Sequence, residues 1–142
     1  MQEQGFTFAK ASVYKEGENE SDPYMMQARG IYNLKLAVFE TEEFGNIVPN
    51  DMDFDRNRRV YILTGANRGG KTTITQAVGQ LLVLAQGGIY IPGKAFTFSP
   101  VTGIYTHFPA DEDKTLDLGR LGEECKRFKA IYEEADSRSL LL

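Results

Sequence analysis

Apolar and polar residues alternate through GFTFAKASVY (Gly5–Tyr14), the period of a strand with one face turned inward. Lys15–Pro23 is polar, acidic and turn-rich, which predicts an exposed loop. Short apolar runs from Tyr24 to Glu40 predict extended structure, although YNLKLAVFE also suits the start of a helix. FGNIVPNDMDF (Phe44–Phe54) predicts the approach to a strand, bent at Pro49, and DRNRR (Asp55–Arg59) a charged, hairpin-like connection. VYILTG (Val60–Gly65) is a β-branched and aromatic run of the length expected for a buried strand.

The period changes after the glycines. In KTTITQAVGQLLVLAQ (Lys71–Gln86), Ile74, Ala77, Val78, Leu81, Leu82 and Ala85 recur every three or four residues, one face of a helix. Gly87 and Gly88 predict its end. IYIPGKAFTFSP and TGIYTHF read as two further strand segments separated by Pro100, and ADEDKT (Ala110–Thr115) as an acidic connection. A second helical stripe collects Leu118, Leu121, Cys125, Phe128, Tyr132 and Ala135. SLLL, ending at Leu142, reads as the opening of a buried strand, so a boundary inside a longer protein is expected there.

The 142 residues, 42% hydrophobic and 25% charged, suit one globular domain with a core. A net charge of −4 gives the chain as a whole no basic character for nucleic-acid binding. A single cysteine, Cys125, excludes an internal disulfide framework and fits a reducing, cytoplasmic setting. There is no leader-like opening and no apolar run of membrane-spanning length, so neither secretion nor a membrane is expected.

The chemistry concentrates in TGANRGGKTT (Thr64–Thr73), where Gly65, Gly70, Lys71 and Thr72 satisfy the spacing G-x-x-x-x-G-K-[ST]. Glycines 65, 69 and 70 free the backbone and keep side chains out of a phosphate's path. Successive backbone N–H groups can then curl round a β-phosphate, and the following helix presents its positive end to the same group. Lys71 supplies a charge to the β- and γ-phosphates, the Thr72 hydroxyl is an oxygen ligand of the kind Mg2+ takes, and Thr73 adds a hydroxyl near the α-phosphate. The expected nucleotide-binding set is Gly65, Ala66, Asn67, Arg68, Gly69, Gly70, Lys71, Thr72 and Thr73, with ATP and Mg2+ as cofactors.

Hydrolysis needs a second acidic residue, usually at the end of a neighbouring strand, and a group that orients water. SLLL is the candidate strand and reaches Leu142 before any acid. The acids at 111–113, 123 and 124 fit a solvated face better than a metal site, and no catalytic residue is assigned within the chain. Binding without turnover is therefore expected of these 142 residues alone. His107 has no nucleophile or ligand set beside it in sequence and reads as a structural or surface residue, while Cys125 reads as a small buried hydrophobe.

TGANRGGKTT resembles the phosphate loop of the MutS family of DNA mismatch repair ATPases, commonly T-G-P-N-M-G-G-K-S-T. Asn67 and the doubled Gly69–Gly70 separate this form from most phosphate loops, and ABC transporter ATPases typically carry serine between the last two glycines. NIVPNDMDF, the Tyr-Ile-Pro after the helix and the stretch from Leu118 to Leu142 are also similar to the family, over roughly Ala28–Leu142. The resemblance implies an α/β fold: a P-loop NTPase core with a mixed β-sheet, truncated before the magnesium-binding acidic pair. Within it, 1–60 holds N-terminal strands, 60–86 the phosphate-loop strand and helix, and 89–142 the remaining strands and helix of one partial ATPase domain.

It implies that Ile47 or Val48 packs near adenine, although core packing explains either residue equally. For the intact protein it implies a homodimer or heterodimer, ATP hydrolysis that drives conformational change, and DNA contact through other domains. Ala66 and Arg68 depart from the common proline and methionine at positions that tolerate change. Gly119 falls where many members carry a serine that reaches the partner's nucleotide, which points to a divergent branch. An ABC- or SMC-type ATPase and a non-hydrolysing nucleotide sensor are the alternatives.

Overall fold

A computed structural model of the protein describes residues 6–14, 24–39, 47–66, 70–108 and 118–142. They fall into two compact units, Met1–Pro100 and Val101–Leu142.

In the first unit, β1 (Phe8–Ala9) and β2 (Ser12–Val13) precede β3 (Met26–Ile31), which leads into the short helix α1 (Leu34–Phe39). After Pro49 comes β4 (Asn50–Phe54), then the long helix α2 (Lys71–Gln86), β5 (Ile91–Pro92) and β6 (Ala95–Phe98). Four of these strands form a sheet of order β2-β6-β3-β4. β3 runs antiparallel to both β4 and β6, whereas β2 runs parallel to β6, so the sheet is mixed. A separate antiparallel ladder joins β1 to β5.

The residues explain the sheet. Met26 and Ala28 alternate inward on β3, and a register shift between Ala28 and Ile31 returns Ile31 to the buried side. Phe96 and Phe98, two apart on β6, are both buried, their rings parallel with centroids 5.1 Å apart. The extended Gly5–Tyr14 segment becomes two short strands in different ladders, because its backbone changes partner from β5 to β6 between Ala9 and Ser12. The 91–98 segment likewise divides at Gly93–Lys94. Tyr24–Glu40, open to either reading, resolves into a strand and then a helix over its described residues.

α2 takes the predicted boundaries and buries Ala77, Val78, Leu81, Leu82 and Ala85, while Ile74 is half-buried. Its end is closed by Gly88 N–H donating to the Ala85 carbonyl at 3.0 Å and Ile89 N–H to the Leu84 carbonyl at 2.9 Å. DRNRR is the expected tight connection: Asp55 and Arg58 exchange backbone hydrogen bonds across a two-residue turn.

VYILTG departs from expectation. It is neither a strand nor buried: Val60 and Ile62 are 80% and 84% exposed. A β-branched run has the propensity for a strand, but neighbours confer pairing and burial, and none pairs with it among the described residues. Tyr61 is anchored, its ring 4.7 Å from that of Phe54 and its hydroxyl donating to the Asp53 carbonyl.

In the second unit, β7 (Gly103–Tyr105) and β8 (Ser139–Leu141) pair in parallel, joined by the helix α3 (Leu118–Glu134). A parallel pair requires a crossover of this kind. The Asp136 carboxylate knots the turn between α3 and β8. It accepts from the Thr102 hydroxyl at 2.6 Å, the Arg138 N–H at 2.8 Å and the Ser139 hydroxyl at 3.0 Å. The helical period of α3 is as predicted, but its stripe is not covered: Leu121, Cys125, Phe128 and Tyr132 are all exposed. Cys125 is therefore not the buried hydrophobe expected, since periodicity defines a face without supplying what packs on it. SLLL forms a strand but stays half-exposed, Leu141 at 52%. The loops at 15–23 and 110–115 and residues 44–46 lie outside the described residues.

Candidate functional site

The amino end of α2 is shaped by its glycines. Gly70, the residue before the helix, sits at φ 80 and Gly65 at φ 143, both in the region that favours glycine. No side chain caps the helix. Ile74 N–H takes the Gly70 carbonyl at 3.0 Å, so the first amides of α2 stand as donors at the positive end of the helix dipole. That is the arrangement in which a helix start binds an anion. Lys71 turns back to the described end of the preceding segment, its ammonium donating to the carbonyls of Gly65 at 2.7 Å and Ala66 at 2.6 Å. Thr72 is exposed on the first turn and Thr73 half-buried, while Asn67, Arg68 and Gly69 lie outside the described residues.

A cavity of about 480 Å³ opens at this helix start. Gly70, Lys71, Thr73 and Thr64 form its polar side, while Ile47, Val48, Leu36, Leu63, Ile74 and Ala77 contribute apolar surface. Tyr32 also lines it, its hydroxyl donating to the Thr7 carbonyl at 3.0 Å, and burial pushes that phenol above its ordinary pKa. The structure thus brings Ile47 and Val48 into one cavity with the loop's ends; Thr72 is not among its lining residues.

Sequence reasoning missed Asn33. It is 3% exposed, and its Oδ1 accepts from the N–H of Lys35 at 2.9 Å and of Leu36 at 3.4 Å, capping α1. Its Nδ2 donates to the Thr73 carbonyl at 3.1 Å and to Gln76 Oε1 at 3.2 Å. Gln80 completes the set, donating to Asn33 Oδ1 at 3.2 Å and accepting from Leu34 N–H at 2.8 Å. The cap was visible as an asparagine ahead of LKLAVF; the long-range bonds carried no sequence signal.

In the second unit, His107 packs its ring edge-on to Phe128 at 6.1 Å and donates its backbone N–H to the Leu142 carbonyl at 2.7 Å, a structural placement. Gly119 lies in the first turn of α3, and Glu123 is exposed on the same helix.

The family model for MutS domain V matches residues 61–142, more than half of the chain. The chain belongs to the MutS family. It is 32% identical over 136 residues to the endonuclease MutS2 of Caldicellulosiruptor bescii, covering 95% of this chain and 17% of that protein. To the DNA mismatch repair protein MutS 1 of Halobacterium salinarum it is 34% identical over 101 residues, 71% of this chain and 12% of that protein. The chain therefore spans less than a fifth of the length of either MutS relative. Its mixed α/β fold is that of a MutS ATPase-domain segment, and no described helix is long and apolar enough to cross a membrane.

Proposed function

We propose that Gly65–Thr73 holds the phosphates of ATP, as the phosphate loop of a P-loop NTPase core for which Met1–Leu142 supplies one partial domain. The observation that carries this reading is that Gly70, Lys71 and Thr73 line the same cavity as the apolar residues Ile47 and Val48. A nucleotide has the same division, a charged end and an apolar ring. The uncapped amides of α2 suit the β-phosphate, Lys71 the β- and γ-phosphates, and Thr73 the α-phosphate side. Thr72 offers an exposed hydroxyl oxygen to Mg2+, which when bound would neutralise phosphate charge. Ile47 and Val48 would take the adenine.

In the intact protein the reading extends to a cytoplasmic, MutS-like ATPase, a homodimer or heterodimer in which hydrolysis drives conformational change on DNA. DNA contact would run through other domains. Membership of the MutS family favours this over an ABC- or SMC-type ATPase. Titration with ATP checks the site: Lys71→Ala should weaken binding about 10- to 100-fold, since a charged partner of the phosphates is lost. Equal affinity in wild type and variant would sink the assignment. ATP binding without turnover by the intact protein would favour a nucleotide sensor, and the 142 residues alone should bind without measurable turnover.

A further inference from the structure

Most helix caps use one oxygen, and serine, threonine or aspartate serves as well as asparagine. Asn33 uses both ends of its amide. Its oxygen caps α1, and its nitrogen reaches residues 40 and 43 positions away in the first two turns of α2. Gln80 closes the same junction from the next turn of α2. Both sides so joined line one cavity: Tyr32 and Leu36 on the α1 side, Gly70, Lys71 and Thr73 on the α2 side, with Asn33 itself at the seam between these walls.

We propose that Asn33 is a positioning residue that sets the spacing between the α1 side and the phosphate side of the nucleotide cavity. This rests on the nucleotide reading above. Every donor and acceptor of its buried amide is engaged, and an amide left partly unsatisfied there is unfavourable, so the junction holds one geometry. A ligand spanning both walls meets them already ordered; once the amide is cut, that ligand must order them itself. A ligand that touches the phosphate side alone is indifferent to the spacing.

The test compares ATP with inorganic tripolyphosphate, by calorimetry on the intact protein. Asn33→Ser keeps a capping oxygen and loses both donations to α2. ATP affinity should fall about tenfold, or about 1.4 kcal/mol, while tripolyphosphate affinity stays within about twofold. Gln76→Ala, which removes one bond from the α2 side and leaves the cap whole, should show the same split at about threefold; it also serves if Asn33→Ser does not fold. Unchanged ATP affinity in the variants, or equal losses for both ligands, overturns the spacing role and leaves the nucleotide reading standing. Wild-type protein that binds neither ligand overturns both.

Discussion

Gly70 turns the chain into α2 at φ 80, and a β-carbon built there meets nothing within 4 Å. The demand for glycine at this position is therefore conformational and not a matter of space. Gly70→Ala should lower stability by roughly 1–2 kcal/mol, the left-handed penalty of a β-carbon, and Gly70→Asn by less, because asparagine tolerates that region. Urea midpoints decide it; an asparagine variant less stable than the alanine variant would mean that crowding dominates. Asn33 shows the limit of reading single residues. Its cap is a local pattern, visible from one asparagine and the apolar residues after it, but its bonds to Thr73 and Gln76 depend on how two helices meet.

Among the elements, α2 was the most legible because every signal agreed: glycines before it, a five-residue buried face within it, two glycines after it. VYILTG had strand propensity, yet a strand takes its burial from partners remote in sequence, and Val60 and Ile62 show that propensity cannot name them. α3 repeats the lesson for a helix, its stripe correctly phased and its exposure unforeseen. The junction of α3 with β8 adds a pH dependence. Asp136 is held below the ordinary carboxyl range, first by the Thr102 hydroxyl and then by the Arg138 backbone N–H, with the Ser139 hydroxyl adding less. A depressed folded pKa contributes stability above the unfolded value of 3.8, lost as pH falls through the folded one. Asp136→Asn should lower the thermal midpoint at pH 7 and shrink the further drop on going to about pH 3. A variant that keeps the full acid drop would show that other carboxyls govern it.

The whole chain leaves apolar side chains exposed in both units: Val60 and Ile62 in the first, Leu121, Phe128 and Tyr132 in the second. A net charge of −4 offers modest repulsion against association through such surface. The isolated 142-residue chain should sediment above its 15.9 kDa monomer mass, and Ile62→Thr should shift it toward monomer. A wild-type chain that stays monomeric at high micromolar concentration would show that this surface is not adhesive. At this scale family membership was legible from one ten-residue loop, because Gly65, Asn67, Gly69, Gly70 and Lys71 form a pattern that is read without folding the chain.

That loop engages its own lysine, and the consequence is thermodynamic. A phosphate that takes the Lys71 ammonium displaces two carbonyls, those of Gly65 and Ala66, so hydrogen bonds are exchanged and not simply added. The heat of binding is then smaller than a count of phosphate contacts would give. The two released carbonyls must then find water in place of the ammonium.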